Sequence, residues 1–322
     1  MPPIIDVLAL YRRLPRPVRA TIGRVRNYVG RLTRWAAVMH EIRGHEARDR
    51  RVLWRSAALS PITSLRDLDQ WQDPVLCRDA TVSVPGFGLF HIRAHSDDLY
   101  HVLPARERNA FQAVADILRP GDVFIDAGAN IGIYTVLASS LVGPEGHVIA
   151  IEMMPDTCEI LRAHVRLNQC RNVAIHNRAL HCEEGASVDA FVTKNHYGQA
   201  SIVIAAASSL TVPVKTVTLG SLIGDNRIRL LKLDLEGAEL LALRGAGDAL
   251  TGIDAIVYED LGESGVGEFL MQRGFSIAKL DGRNFLASSE RGQRVSDTGT
   301  AADFARSGIG SAVIASYKVV GE

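Results

Sequence analysis

The sequence predicts an α/β fold with a doubly wound, mostly parallel sheet of the Rossmann-like type. From about residue 105 onward, apolar strands alternate with helices of about a dozen residues, which is the pattern of a parallel sheet covered on both faces. In addition, the apolar segment at 122–126 runs directly into a glycine-containing turn and a helix, as in folds that bind ligands at the carboxyl edge of the sheet. With 322 residues, of which 47% are hydrophobic and 22% charged, the chain can bury a core of this size.

Seven strands and five helices are predicted for this fold. The strands lie at 122–126, 147–152, 172–178, 229–235, 253–259, 274–280 and 312–319. The helices lie at 105–118, 131–142, 156–168, 237–249 and 264–273. No helical pattern clearly separates the last two strands, so these two strands are expected to pair antiparallel. The turn-rich stretch 282–311 between them is expected to be a long surface loop.

The chain divides into an appendage and a main domain. Residues 1–75 are predicted to be a helical appendage, and residues 76–322 form the main domain, with a small β hairpin at 78–103 and the Rossmann-like core at 105–322. The hairpin is indicated by two short strand-like segments on either side of the turn sequence PGFG.

The appendage contains an amphipathic helix. Apolar residues recur at helical spacing from Val18 to Ala36, and arginines lie largely on the other side of the helical wheel. Two interpretations are open. In the commoner one, the helix docks on the domain or on a second subunit, which makes a homodimer reasonable. In the other, the helix lies on an anionic membrane surface as a peripheral contact.

The composition argues against several classes of protein. A formal net charge of zero disfavours binding of nucleic acid by bulk electrostatics. The four cysteines form no C-x-x-C pair and no zinc-like spacing, so buried thiols in a reducing compartment are expected. No apolar run approaches the roughly 18 residues of a membrane span, and no signal peptide is recognised. We therefore expect a cytoplasmic protein.

The strongest motif is VFIDAGANIG at 123–132, in which a strand, a glycine turn and a helix follow one another. Gly128 and Gly132 allow a tight turn and a close approach of a ligand, and Asn130 lies between them, just before a helix N-terminus with unpaired N–H groups. A dinucleotide site needs G-x-G-x-x-G, whereas this turn has one residue too many between its glycines. Asp126 would repel a pyrophosphate, but it suits the ammonium and sulfonium groups of S-adenosylmethionine. The motif therefore predicts a binding site for S-adenosylmethionine.

A second motif lies at the end of the next strand, where Glu152 follows the segment VIAI. An acidic residue in this place can accept hydrogen bonds from both ribose hydroxyls of a nucleoside. An acidic strand end is weak evidence alone, but with the glycine turn it predicts a cofactor contact.

A third motif, LLKLDLEGAE at 230–239, combines charge with a buried strand. Lys232, Asp234 and Glu236 alternate with leucines and therefore share one face of the strand. Charge on a central parallel strand is costly unless it is paired or used. A solvated edge strand and an internal Lys-Asp pair are the structural alternatives to a catalytic role.

The three motifs together resemble the FkbM family of methyltransferases, over roughly residues 95–280. The resemblance implies the class I methyltransferase fold, S-adenosylmethionine as methyl donor, and transfer to a hydroxyl oxygen. It also implies a natural-product, glycan or glycolipid acceptor. The segment NHYGQAS at 195–201 is similar to a motif of the family with asparagine, glycine and serine. The family usually has T-L-D further along, whereas this chain has T-L-G at 218–220 and so lacks an acidic residue.

Transfer to an alcohol requires that its proton go to a base or that a metal lower its pKa. Asp234 is the candidate base or proton acceptor, with Glu236 and Lys232 orienting it or the acceptor, and His196 is the rival base. Alternatively, Asp234, Glu236 and Glu259 could gather a magnesium ion at the strand ends, because hard cations prefer carboxylate oxygens.

Three other functions are weighed against methylation of a hydroxyl. A nucleic-acid methyltransferase is disfavoured by the neutral chain, which also lacks an N-P-P-[YF] motif. A non-catalytic cofactor-binding scaffold is disfavoured by the intact glycines, and a nicotinamide dehydrogenase by their spacing. The expected partner is a hydroxylated small molecule, glycan or glycolipid, with no nucleic acid.

Overall fold

A computed structural model describes residues 15–66, 68, 73–193, 196–205, 210–260, 262 and 264–292. Its helices are α1 (Arg16–Glu41), α2 (Ala47–Thr63), α3 (Asp98–His101), α4 (Arg108–Ile117), α5 (Ile133–Val142), α6 (Pro155–Leu167), α7 (Leu219–Ile223), α8 (Glu239–Arg244) and α9 (Val266–Met271). Two 3₁₀ helices, Pro104–Arg106 and Gly247–Gly252, lie between them. The strands are β1 (Arg43–Gly44), β2 (Ala80–Val84), β3 (Gly88–Ile92), β4 (Val123–Ala127), β5 (His147–Ile151), β6 (Val173–His176), β7 (Ala179–Leu180), β8 (Ser187–Thr193), β9 (His196–Ser201), β10 (Leu210–Val217), β11 (Ile228–Leu233), β12 (Ile253–Glu259), β13 (Ser276–Lys279) and β14 (Asn284–Ser288).

The main sheet has seven strands in the order β13-β14-β12-β11-β4-β5-β6. All neighbouring pairs are parallel except those of β14, which is antiparallel to both β12 and β13. From β4 the chain first winds through β5 to β6 and later continues through β11 to β12 on the other side, so the strand order reverses at β4. Ligands bind beside such a reversal in doubly wound sheets. The predicted Rossmann-like fold is confirmed.

The last strand of the sheet differs from the prediction. Residues 284–288 form β14, so the expectation of a surface loop over 282–311 is wrong there, and the predicted strand at 312–319 lies outside the described residues. The antiparallel pair is instead β13 with β14. The intervening turn is held by Asp281, whose side chain accepts hydrogen bonds from the backbone and side-chain N–H groups of Asn284 at 3.2 and 2.9 Å. Asp281 and Gly282 form an Asp-Gly pair between two apolar segments, which is a sequence signal for a hairpin. Because the surrounding stretch is rich in turn residues, its composition predicts a loop over the whole stretch.

Glycines shorten one predicted helix. The helix expected at 237–249 is reduced to α8, followed by the 3₁₀ helix Gly247–Gly252. Gly247 has a φ of +54°, a left-handed conformation that interrupts a right-handed helix.

The predicted hairpin is present as β2 and β3, and it packs on the sheet through α6. The backbone N–H of His91 donates to Nε2 of His164 at 2.8 Å, and the N–H of Leu89 donates to Oδ1 of Asn168 at 2.8 Å. β1 adds to the hairpin as a third strand, so the appendage continues into this small sheet. One hydrophobic core contains Trp35, Phe90 and Phe124, on both sides of residue 75.

Helix α1 is turned opposite to the orientation expected from its periodicity. Arg31, which is 3% exposed, points inward and donates to the carbonyl oxygens of Ser64 and Arg66 at 2.5 and 2.7 Å. The apolar positions Val18, Ile22, Val25 and Val29 are instead 41–58% exposed. The expectation that this apolar face docks on the chain's own domain is wrong: the inward face of α1 instead carries Arg31, Trp35 and Val38, and Arg31 satisfies backbone carbonyls after α2.

A second sheet, in the order β7-β10-β8-β9, is inserted between β6 and β11. The sequence gives no prediction of it, and His196 lies in its strand β9. Many residues of β8 and β9 are half-exposed, so the apolar alternation that marks a strand is weak there. Within the described ranges, no helix is long and apolar enough to cross a membrane.

Candidate active site

The carboxyl ends of β4, β5 and β11 surround a cleft of about 830 Å³. Four of the predicted cofactor residues line it, namely Gly128, Asn130, Gly132 and Glu152. The third motif contributes Lys232, Asp234 and Glu236 to the same cleft. The three motifs therefore meet at one place.

Asp126 does not lie in the wall of the cleft. It is fully buried at the end of β4, where its Oδ2 accepts a hydrogen bond of 2.6 Å from Thr135. Its other oxygen, Oδ1, has no hydrogen-bond partner in the described structure. Burial raises the pKa of Asp126, and the positive charge of the neighbouring Lys232 acts against that rise. The structure therefore does not place Asp126 among the residues that line the cleft.

Glu152 reaches the cleft with its carboxylate already fixed. One oxygen accepts the backbone N–H of Asn130 at 2.9 Å, and the other accepts that of Met154 at 2.8 Å. Burial nevertheless raises the pKa of Glu152 to about 7. Each carboxylate oxygen can still accept a further hydrogen bond, so Glu152 can hold a ligand with two adjacent hydroxyls.

Asn130 presents an unsatisfied acceptor at the same edge. Its backbone is left-handed, with φ +48°, and its Oδ1 is buried without a hydrogen-bond partner in the described structure. A buried acceptor without a hydrogen-bond partner costs free energy, so a ligand that donates a hydrogen bond to this atom would remove that cost.

The two glycines of the first motif are required by packing. Gly128 has φ +80°, and a Cβ there would overlap the carbonyl oxygen of Asp234. Gly132 has φ +94°, and a Cβ there would overlap the side chain of Leu161 in α6. The N–H of Asp234 also donates to the carbonyl of Ala127 at 3.1 Å. Gly128 therefore packs closely against the third motif, and this contact holds the first and third motifs together.

Asp234 and Lys232 form an ion pair, with Nζ 3.0 Å from Oδ2. Nζ also lies 4.9 Å from the centre of the Tyr134 ring. Burial alone would raise the pKa of Asp234, but Lys232 and Arg106 outweigh it and lower that pKa. Asp234 therefore stays ionised and paired, which is the internal Lys-Asp pair named above as an alternative.

Glu236 lies in the turn after β11 and is held by its backbone. It has a left-handed φ of +50°, and its carbonyl accepts a hydrogen bond of 2.8 Å from Ser201 Oγ. Burial, together with the negative charges of Asp234 and Glu259, raises the pKa of Glu236 to about 8. The backbone of Glu236 is thus held in place, and the raised pKa of its carboxyl group lies near neutral pH.

A group of residues that the sequence did not indicate closes the cleft from the side of α3. Arg106 donates to His101 Nδ1 at 2.7 Å and pairs with Glu107 at 3.0 Å. Glu107 in turn accepts a hydrogen bond of 2.8 Å from the hydroxyl of Tyr134. None of the three motifs marks His101, Arg106 or Glu107, and the only hint is the charged run A-R-E-R at 105–108.

The motif NHYGQAS supports this group and the third motif. Asp97 accepts the backbone N–H groups of Tyr197 and Gly198, both at 3.1 Å, and lies 3.2 Å from His101 Nε2. A Cβ at Gly198 would overlap the His101 ring. The glycine therefore makes room for His101, while Ser201 fixes Glu236.

A second, larger cavity of about 1,780 Å³ adjoins the first. Four residues line both cavities, namely His101, Arg106, Glu107 and Glu236. His196 and Glu259 line only the second cavity, so the structure does not bring His196 to the first cleft. The magnesium arrangement of Asp234, Glu236 and Glu259 is not formed: among the described residues, no three His, Cys, Asp or Glu side chains are grouped so as to hold a metal ion.

Comparison with known proteins adds four findings. Residues 126–277 match the family model described as Methyltransferase FkbM domain. Methyltransferase 1 of Beauveria bassiana is 28% identical over 199 residues, which cover 53% of this chain and 76% of that protein. A protein-L-isoaspartate O-methyltransferase of Ignicoccus hospitalis is 35% identical over 66 residues, covering 20% of this chain and 31% of that protein. The solved structure of Methyltransferase FkbM from Methylobacillus flagellatus KT has a TM-score of 0.36 and 16% identity, covering 57% of this chain and 59% of that one.

Proposed function

Because the chain belongs to the FkbM family of S-adenosylmethionine-dependent methyltransferases, we propose that it methylates a hydroxyl oxygen of a polyhydroxylated acceptor such as a glycan or glycolipid. One observation carries the proposal: Glu236, a half-buried carboxyl group, lines both the cofactor cleft and the adjoining larger cavity. A group in this position can take a proton from an acceptor in one cavity while the methyl donor lies in the other.

The residues of the first cleft fit S-adenosylmethionine. Glu152 would accept from the two ribose hydroxyls, and the unpartnered Oδ1 of Asn130 would accept a further donor of the cofactor. The ionised Asp234 adds negative charge beside the cofactor's cationic groups. When bound, S-adenosylmethionine supplies a methyl group on a sulfonium with a good leaving group.

The walls of the second cavity support a hydroxylated acceptor. Side chains that can donate or accept hydrogen bonds predominate there, among them Asn109, His196, Gln199 and Asn284. Tyr100 adds an aromatic face. Polar groups with one aromatic surface suit the hydroxyls and the apolar ring face of a sugar better than they suit an extended hydrocarbon.

Glu236 is favoured as the base over Asp234, which the sequence suggested first. A general base works best when its pKa lies near the working pH, and Glu236 meets this condition with a pKa of about 8. Asp234 is held ionised by Lys232 at 3.0 Å, and this ion pair weakens its affinity for a proton. In the proposed reaction, bound S-adenosylmethionine would supply the methyl group to the acceptor oxygen, and Glu236 would accept the proton that this oxygen loses. Lys232 and Asp234 orient the reacting groups.

The cofactor is tested by calorimetric titration with S-adenosylhomocysteine. Glu152→Ala is expected to weaken binding about 10- to 100-fold, because two hydrogen bonds to a charged acceptor are lost. Glu145→Ala is the matched control, since Glu145 is exposed in the turn before β5 and lines neither cavity. Absence of binding by the folded wild-type chain would contradict the proposal, and equal binding by both variants would remove Glu152 from the site.

The acceptor class is tested with S-adenosylmethionine and a panel of methyl glycosides, simple alcohols, amines and carboxylates. We expect release of S-adenosylhomocysteine with hydroxyl acceptors, and most with the glycosides, because the second cavity offers many hydrogen-bonding groups. The product must survive mild alkali, as an ether does and a methyl ester does not. Turnover only with amines or carboxylates would reject transfer to a hydroxyl.

A further inference from the structure

The outer side of the appendage carries an unusual concentration of exposed apolar side chains. Of the fourteen large apolar side chains that are exposed in the described part of the chain, eight lie between residues 18 and 65. Four of them, Val18, Ile22, Val25 and Val29, follow helical spacing along α1 and form a stripe on the side opposite the buried Arg31. We call these four residues the α1 stripe. Contiguous exposed apolar surface of this kind marks a binding surface.

Helix α2 extends the apolar surface. Trp54 is 65% exposed and Ile62 is 70% exposed, both on the side of α2 that faces away from the core. The hydroxyl of Tyr28 in α1 donates to the carbonyl of Pro61 at 3.3 Å, so the end of α2 that carries Ile62 lies beside the middle of α1. An exposed tryptophan is a side chain suited to the boundary between lipid and water, where its apolar body and polar tip are both satisfied.

The same segment is strongly basic, although the whole chain is neutral. Residues 16–66 carry twelve arginines against Glu41, Glu46 and Asp49, while the formal net charge of the chain is zero. Arg26 in α1, and Arg51 and Arg55 in α2, are exposed next to the apolar positions. An apolar face combined with arginines is the pattern of a helix that lies in the interface of an anionic membrane.

We infer that α1 and α2 dock on an anionic lipid bilayer, with the α1 stripe, Trp54 and Ile62 entering the headgroup boundary. The charge distinguishes this partner from a second copy of the chain. Two copies that met through this surface would bring two strongly arginine-rich segments together, which is repulsive, whereas an anionic lipid surface neutralises them. The arginine side chains are long enough to reach phosphate groups while their neighbours are buried.

The end of α1 contacts two residues that line the larger cavity. Glu41 at the end of α1 accepts the backbone N–H of Ala105 at 2.8 Å and pairs with Arg108 at 2.9 Å, and both partners line that cavity. Val29 and Glu41 are separated by about 18 Å along the helix axis at about 1.5 Å per residue. Docking of α1 would therefore hold the larger cavity close to the lipid surface.

Vesicle co-sedimentation of the full chain tests the inference. We expect binding to vesicles of phosphatidylcholine with phosphatidylglycerol, weaker binding to pure phosphatidylcholine, and a decrease with added salt. The triple variant Ile22→Ser, Val25→Ser, Val29→Ser should bind the anionic vesicles at least about tenfold more weakly, because its apolar contribution is removed. Leu167→Ser with Met271→Ser is the matched control, since both side chains are exposed and apolar but lie outside the appendage.

Three outcomes would overturn the inference. One is the absence of binding to anionic vesicles by the wild type, and another is equal binding by the wild type and the triple variant. The third is a wild-type dimer in sedimentation velocity that the triple variant converts to a monomer, which would assign the α1 stripe to a second copy. Thermal unfolding by circular dichroism establishes that the variants fold, independently of any cofactor or acceptor.

Discussion

Glu236→Gln is expected to lower kcat by about 10²- to 10⁴-fold, the contribution typical of a positioned general base. The affinity for S-adenosylhomocysteine should change little, because the carboxylate that we assign to the ribose is that of Glu152. In the wild type, kcat should rise with pH through about 8, since the carboxyl of Glu236 must lose its proton before it can act as a base. This rise should be absent in the variant. Asp234→Asn should also lower kcat and keep a rise that is shifted to lower pH, because the negative charge of Asp234 is one cause of the raised pKa of Glu236.

The same substitution has a second readout that needs no acceptor. The pKa of Glu236 is raised from an ordinary value of 4.5 to about 8, so between these values the folded chain binds more protons than the unfolded chain. The free energy of unfolding therefore falls as pH rises through this window. Glu236→Gln removes this loss, so the Tm of the variant should increase relative to that of the wild type from pH 5 to pH 8. A constant difference in Tm across this range would show that Glu236 does not carry the raised pKa.

An exposed carboxylate provides the control for both readouts. Glu183→Gln changes a side chain outside both cavities and should leave the kcat profile and the pH dependence of Tm unchanged. If the pH-dependent rise of kcat persists in Glu236→Gln, the base is another titratable group of the two cavities, such as Glu107, Glu259 or His196.

The predictable part of the site is the part that backbone topology determines. The carboxyl ends of neighbouring parallel strands meet at one edge, so motifs that end β4, β5 and β11 must approach one another once the sheet order is known. This is why Gly128, Glu152 and Asp234 could be assigned to one site from the sequence. The pattern did not show that Gly128 is needed for packing against Asp234, because that contact depends on how closely the two turns approach.

The parts that the sequence did not predict depend on contacts between distant segments. Asp97 and Gly198 are 101 positions apart, and their hydrogen bond brings His101 and Arg106 to the cleft. No local pattern encodes such a contact. Helix α1 illustrates a different limit: periodicity determines which residues share a face, but not whether that face points inward. Here the buried donor is Arg31, and the apolar face points outward.

Gly128→Ala is expected to abolish binding of S-adenosylhomocysteine and to lower the free energy of unfolding by about 2–5 kcal/mol. Two costs combine. A left-handed backbone costs a residue with a Cβ about 1–2 kcal/mol, and Gly128 has φ +80°. The overlap of the new Cβ with the carbonyl oxygen of Asp234 adds about 1–3 kcal/mol, as overpacking usually does. The overlap can be relieved only by moving the third motif away from the first, which displaces Asp234 and Glu236 from the cleft.

Gly121→Ala separates the two costs, because Gly121 lies at the other end of β4 with a similar φ of +89° and no atom within 4 Å of the new Cβ. It should pay only the backbone cost and keep its affinity for S-adenosylhomocysteine. Chemical denaturation of both variants and calorimetric titration would measure the difference. If Gly128→Ala loses no more stability than Gly121→Ala and still binds the cofactor product, the contact between Gly128 and Asp234 does not hold the two motifs together. The first and third motifs would then be held together by the pairing of β4 with β11 and by the hydrogen bond from the N–H of Asp234 to the carbonyl of Ala127.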